Sequence, residues 1–150
     1  MNLTAFLRQN AVEFEFLEKH STHHASEASD STGIALDRIV KTIVFIDHEL
    51  NPLLAIVRAD RSVSRHKLQH WCGSKSVRIA TTGEAERATG YPTGGIPPVG
   101  HKRRLPAYLD EELFGVDYVW CGGGTRTRLV KLPVADILRL ATPTTCDIRT

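Results

Sequence analysis

Ile39-Val40-Lys41-Thr42-Ile43-Val44-Phe45-Ile46 (IVKTIVFI) decides the fold class. Six of its eight residues are apolar and most are β-branched, so the run reads as a central strand buried on both faces. Asp47 to Pro52 makes a turn, and Leu53 to Val57 returns as a second buried strand, giving a hairpin. Toward the N-terminus, Leu3, Phe6 and Leu7 have the i, i+3, i+4 spacing of a short helix ending near Asn10. Val12, Phe14 and Phe16 alternate with Glu13 and Glu15, the period of a half-buried strand. Thr22 is placed to cap a helix through Ala25 and Ala28 that stops at Gly33. Toward the C-terminus, Ser62 or Ser64 caps a helix that buries Leu68 and Trp71, and Val77 to Ala80 reads as a strand. Thr81 and Glu84 have capping-box spacing, with Gly90 as the stop. Leu105–Leu109, Val116–Trp120 and Arg128–Leu132 read as strands, and Pro133 sits at the first position of a closing helix. The tail from about Thr142 reads as frayed. About seven short strands interleave with four or five helices in irregular order. That predicts an α+β single domain over residues 1–150, with a curved mixed sheet, barrel-like, surrounded by helices.

The chain has 150 residues, 41% hydrophobic and 24% charged, which is the balance of a soluble globular domain rather than a disordered one. A net charge of +2 does not by itself announce a nucleic-acid binder. Its distribution says more. Arg58, Arg61, Arg65 and Lys67 form one basic cluster, His101 to Arg104 a second, and Arg126, Arg128 and Lys131 a third. Three such clusters beside Gly-rich or polar loops suit an RNA end, although each alone reads equally as a solvated face. The three cysteines, Cys72, Cys121 and Cys146, are widely spaced without a CxxC, as free thiols in a reducing compartment would be. The N-terminus lacks the apolar core of a secretory signal, and no apolar run approaches the ~18 residues that span a bilayer. A cytoplasmic location is expected, with neither membrane nor DNA as a partner.

Lys41 is the first candidate for chemistry. A lysine inside an apolar strand must be solvated or paired. Either it snorkels from the start of the strand, or its ammonium lines a pocket and binds a phosphate or carboxylate. The second candidate is the loop Gly94-Gly95-Ile96-Pro97-Pro98-Val99-Gly100-His101. Glycines let a backbone approach a ligand and present N–H groups, and prolines hold them in place. Preorganised N–H donors are what an ester hydrolase needs at a tetrahedral oxyanion. A plain surface loop would use the same residues. Gly122-Gly123-Gly124 reads first as a turn between strands, with a ligand role if it borders the pocket. His66 and His70 are i, i+4, but no third ligand joins them, and His20, His23 and His24 lack a partner set, so no metal site is expected. No G-x-S-x-G elbow occurs, which leaves covalent catalysis without support.

The order of these features resembles the YbaK-like aminoacyl-tRNA editing family, related to the editing domain inserted in bacterial prolyl-tRNA synthetase. The resemblance is carried by Ile39 to Phe45, Ala59-Asp60-Arg61, Thr89-Gly90-Tyr91, Gly94 to His101, Arg104-Leu105-Pro106 and Gly122 to Gly124. It implies the YbaK/prolyl-tRNA synthetase-associated domain fold and hydrolysis of mischarged tRNA, typically tRNA(Pro) bearing Ala, Cys or Ser, without metal or other cofactor. The aminoacylated 3′ end of tRNA is the implied partner, with prolyl-tRNA synthetase as a candidate second one. The resemblance implies Lys41, with Gly94 and Gly95, as the catalytic set. It implies Thr42, Ile96, Pro97, Pro98, Gly100, His101, Gly122 and Gly123 as substrate-binding residues. His101 is also a candidate general base. A non-catalytic tRNA-binding or nucleotide-binding module of the same fold is the alternative. One departure stands out. Relatives acting on Cys-tRNA(Pro) often carry an acidic residue shortly after the glycine turn, where this chain has Arg128-Leu129-Val130.

Overall fold

A computed structural model of the chain describes residues 1–19 and 25–150. The proposed Thr22 cap and His20, His23 and His24 lie outside the described residues. The elements in order are α1 (Leu3–Gln9), β1 (Glu15–Glu18), α2 (Ala25–Thr32), β2 (Val40–Asp47), β3 (Pro52–Arg58), α3 (Arg65–Cys72), β4 (Val77–Ile79), α4 (Thr82–Thr89), β5 (Ala107–Asp110), β6 (Tyr118–Gly122), β7 (Arg128–Pro133), α5 (Val134–Ala141) and β8 (Thr144–Cys146). A 3-10 turn, Leu36–Arg38, precedes β2.

The strands form two sheets rather than one. The larger has the order β4-β2-β3-β5-β8 and the smaller β1-β7-β6. β2 and β3 are the expected hairpin, in the register Lys41 opposite Val57 and Thr42 opposite Ile56. β5 and β8 join in parallel, which makes the larger sheet mixed. A parallel bridge, Ile39 to Trp120, joins the two sheets. The expected barrel-like curvature therefore stops short of closure. The free edge of β2 is covered by β6 at Ile39 and by β4 from Phe45 to Asp47, with the Ala80 N–H reaching the Val44 carbonyl at 2.9 Å, and from Lys41 to Ile43 that edge has no strand neighbour among the described residues.

The side-chain alternation of β3 explains why the hairpin is central. Leu54 and Ile56 face a core shared with Val130, Leu132, Leu7 of α1 and Ile137 of α5. Leu53, Ala55 and Val57 face a second core with Phe45, Leu68 of α3 and Ile148. β3 is thus buried on both faces. β2 is not, because Lys41, Thr42 and Ile43 are only half-buried along its open edge.

Local chemistry sets most helix ends. Ser64 caps α3 by accepting the Lys67 N–H. Thr81 and Glu84 form the reciprocal capping box of α4, and Gly90 takes the left-handed stop at φ +83°. Several expectations shift. The first strand starts at Glu15, while Val12 is buried in the core. Trp71 is 45% exposed, its indole Nε1–H donating to the Asp147 carbonyl at the surface. Pro133 caps α5 from outside the helix. Gly122 ends β6 instead of opening the turn.

The largest correction concerns the tail. Residues expected to fray form β8, and Ile148 beyond it is fully buried. The fully buried carboxylate of Asp110 accepts the N–H groups of Ile148 (3.0 Å) and Arg149 (3.1 Å) and pairs with the Arg149 guanidinium at 2.7 Å. A buried charge left unpaired is costly, so this pairing pins the tail to β5.

Candidate active site

The gap along the edge of β2 is the mouth of a cleft of about 450 Å³. That volume lies in the usual range for small-molecule sites. Its floor is β2, including Lys41 and Thr42; Gly94 and Ile96 of the Gly-Pro loop form one wall, and Gly122 and Leu129 of the smaller sheet form another. Five of the residues expected at the site, Lys41, Thr42, Gly94, Ile96 and Gly122, therefore share one cleft.

Lys41 sits here with its ammonium partly withdrawn from water. Burial pulls its pKa below the ordinary lysine value, and the Asp60 carboxylate opposes that shift. Asp60 is itself held by Arg58, through Nε at 2.9 Å and through Nη2. This pairing keeps the Asp60 carboxyl below its ordinary range. Arg58 also approaches Glu112 at 3.6 Å, and Glu112 binds Arg61 at 3.0 Å. The first basic cluster is therefore largely spent on carboxylates, with Lys67 paired to Asp147 at 2.9 Å. It is not a free phosphate-binding patch, and within it Arg58 holds Asp60.

Beside Lys41, the Thr42 hydroxyl oxygen is buried and makes no hydrogen bond among the described residues. An unsatisfied buried hydroxyl costs roughly 1–3 kcal/mol. Native proteins seldom keep one unless a ligand or water completes it.

The two glycine segments work as a pair. The Gly124 N–H donates to the Gly95 carbonyl at 2.8 Å, and the Arg126 guanidinium Nε donates to the Thr93 carbonyl at 2.9 Å. A Cβ on Gly95 would lie 2.6 Å from the backbone of Thr125, and one on Gly122 would lie 2.4 Å from the Ile96 carbonyl oxygen. These glycines permit backbone-to-backbone contact that no other residue allows. The contact corrects one expected role. The Gly95 N–H is committed to the Pro92 carbonyl at 2.9 Å and is not available to an oxyanion. The N–H of Gly94, which lines the cleft at φ +94°, makes no hydrogen bond among the described residues. Gly123 donates to the Arg128 carbonyl at 3.0 Å and serves the turn.

Pro98, Gly100 and His101 lie elsewhere. They line a separate cavity of about 170 Å³, together with Phe6, Leu105 and Leu140. His101 is mostly buried, its Nε2 2.6 Å from the Pro97 carbonyl and its ring edge-on to Tyr91. Burial drives its pKa below the ordinary value, so the neutral ring donates Nε2–H to that carbonyl. The residue read as a candidate base is thus a brace for the loop, and Pro97, which lines neither cavity, supplies the carbonyl that holds the ring. His101→Ala is expected to leave the pH–rate profile of the cleft unchanged and to lower stability by about 1–2 kcal/mol. Because its folded pKa is depressed, the wild-type contribution is full above about pH 6.5 and is lost as pH falls toward the folded value, a loss absent from the variant. Urea denaturation at two pH values reads both effects, and a pH–rate limb that disappears in the variant would restore the base role.

Lys19 and Leu129 are among the cleft residues outside the expected site set. Lys19 follows β1 and lines the cleft, with its ammonium donating to the Arg126 carbonyl. Leu129 of β7, buried against Ile39 and Ala28, also lines the cleft. The neighbouring Arg128 instead donates to the Gly123 carbonyl at 3.0 Å and stacks on Phe16, 3.9 Å from the ring centroid. Neither assignment was open to periodicity, because both depend on which strand lies beside β2. Among the described residues no group of three His, Cys, Asp or Glu is placed to hold a metal ion. No described helix is long and apolar enough to cross a membrane.

Comparison with known proteins gives a consistent picture. The model of a family described as the aminoacyl-tRNA editing domain matches residues 19–140. A protein of Enterococcus faecalis assigned by name as a Cys-tRNA(Pro)/Cys-tRNA(Cys) deacylase, EbsC, is 30% identical over 138 residues, covering 92% of this chain and 84% of its own length. A proline–tRNA ligase of Nitratidesulfovibrio vulgaris is 36% identical over 105 residues, 69% of this chain but only 18% of that enzyme. A solved structure of a protein assigned as a trans-editing enzyme for prolyl tRNA synthetase superposes with a TM-score of 0.82 at 32% identity, over 100% of this chain and 99% of that one. A second structure, of a hypothetical protein, reaches a TM-score of 0.89 at 22% identity over 99% of both chains and shares the fold.

Proposed function

Because the chain belongs to the aminoacyl-tRNA editing domain family, we propose that it acts in trans as a deacylase, hydrolysing the ester between a wrong amino acid and the 3′ end of tRNA. The observation that carries the reading is the pairing of a partly buried lysine with an unsatisfied threonine hydroxyl on the floor of one cleft. The terminal adenosine and its aminoacyl group enter between β2 and the Gly94 loop. Lys41 draws the anionic 3′ end and orients the ester, and the Thr42 hydroxyl hydrogen-bonds the substrate. The Gly94 N–H donates to the carbonyl oxygen as it becomes an oxyanion. Water, positioned by the backbone or by the neighbouring ribose hydroxyl, attacks the carbonyl carbon. The C–O bond to the ribose then breaks, and the ribose oxygen takes one proton from the attacking water. An aminoacyl ester is already activated, so the scheme uses neither a protein nucleophile nor a metal.

The tRNA we propose is tRNA(Pro) carrying Ala, Cys or Ser, and prolyl-tRNA synthetase is the proposed source of the error. Apolar Leu129 at the cleft wall favours a small apolar side chain. One methylene discriminates by only ~1–3 kcal/mol in a synthetase pocket, which is the need such a second site meets. Incubation with Ala-, Cys- and Ser-tRNA(Pro) is expected to release amino acid from at least one while leaving Pro-tRNA(Pro) intact. Failure on all three would sink the reading, and tRNA binding without turnover would leave a non-catalytic module in its place.

A further inference from the structure

The outer face of the smaller sheet carries a row of side chains that leads out of the cleft. Gly122 and Leu129 are a cross-strand pair and line the cleft. The next pair on the same face is Trp120 with Lys131, and the one after begins with Tyr118. Tyr118 is four residues from Gly122, roughly 13 Å along an extended strand. Its ring is 36% exposed. Lys131 Nζ stands 4.1 Å from the ring centroid, and Arg38, from the turn before β2, stands 5.5 Å from it.

These two cations are held by a ring, unlike the six that are held by carboxylates. Arg58, Arg61, Lys67, Arg78, Arg139 and Arg149 are each tied to a carboxylate. Arg38 and Lys131 make no salt bridge among the described residues, although Glu15 lies opposite Lys131 in the β1–β7 register. An aromatic ring fixes a cation without neutralising it. The charges stay available to an outside anion, already oriented. The row ends beside a cleft sized for a nucleoside.

We propose that Arg38, Tyr118 and Lys131 form a phosphate-gripping surface for the tRNA strand whose 3′ end occupies the cleft. This rests on the deacylase reading of the cleft. A row of this length, roughly 13 Å, spans more than one phosphate of a nucleic-acid strand. The cations grip the backbone, which positions the chain without reading its sequence. Selection of the amino acid stays with the cleft.

The test separates the surface from the site. Arg38→Ala/Lys131→Ala is compared with wild type for binding of uncharged tRNA over a salt series and for hydrolysis of an aminoacyl ester of adenosine. The expected result is roughly tenfold weaker tRNA binding at low salt, and a salt slope smaller by about 1.5, the loss of two phosphate contacts. Hydrolysis of the small ester stays unchanged, and Arg38→Lys/Lys131→Arg restores tRNA affinity. Unchanged affinity and slope would overturn the surface, as would a loss on the small ester equal to the loss on tRNA. If neither protein hydrolyses the small ester yet tRNA binding still drops, the surface stands and the deacylase reading falls.

Discussion

Lys41→Ala is expected to lower kcat for mischarged tRNA by about 10²–10³-fold, the usual effect of removing one fixed electrostatic contact to the transition state. The loss belongs to chemistry and not to folding. The side chain is only half-buried at an open strand edge, so truncation leaves no deep cavity. The protonated ammonium is the useful form, and burial lowers its pKa from the ordinary lysine value of 10.5. Activity, corrected for spontaneous ester hydrolysis, is therefore expected to fall along an alkaline limb lying below that value. Asp60→Asn removes the attraction that opposes the shift and should move the limb lower still. A depressed lysine pKa also means that folding disfavours the charge at neutral pH. Lys41→Met is thus expected to be at least as stable as wild type while inactive, a trade of stability for function. A Lys41→Ala protein within threefold of wild-type kcat would remove Lys41 from the mechanism.

Gly122→Ala is expected to cost on the order of 3 kcal/mol and to open the cleft. The added Cβ would meet the Ile96 carbonyl oxygen at 2.4 Å and the Gly95 carbonyl carbon at 2.8 Å. Both neighbours are backbone, and both belong to the loop that walls the site, so relief comes only by moving that loop away from Lys41. Gly83→Ala provides the contrast. It lies inside α4, where the nearest atom is the flexible end of Arg87 at 3.2 Å. Alanine there should be neutral or stabilising by up to about 1 kcal/mol, through helix propensity and a less free unfolded chain. Urea midpoints for the two variants decide the matter, and a Gly122→Ala protein as stable as Gly83→Ala would show that the loop and turn are not packed as described.

Much of this architecture follows from local sequence. The IVKTIVFI strand and its hairpin partner are visible because β-branched apolar runs have few alternatives, and the caps at Thr81 and Gly90 because capping chemistry is local, while the structure chose Ser64 over Ser62 for α3. The presence of an unusual lysine in that strand, and of a Gly-Pro loop rich in backbone donors, was equally legible. Tertiary structure decided the rest. Whether Lys41 snorkels or lines a pocket depends on β4 being too short to cover the edge of β2, which no window around Lys41 records. The division of the Gly-Pro loop, with Gly94 and Ile96 in the cleft and Pro98, Gly100 and His101 behind it, depends on which carbonyls and rings lie across from it. The tail that looked frayed is ordered by a buried Asp110 nearly forty residues earlier in the chain. The sequence by itself determined most of the elements and the family resemblance, because periodicity, capping and motif order act over short spans. Only the tertiary structure decided which of the expected residues share a site, because burial, ion pairing and backbone contact are set by neighbours far apart in the chain.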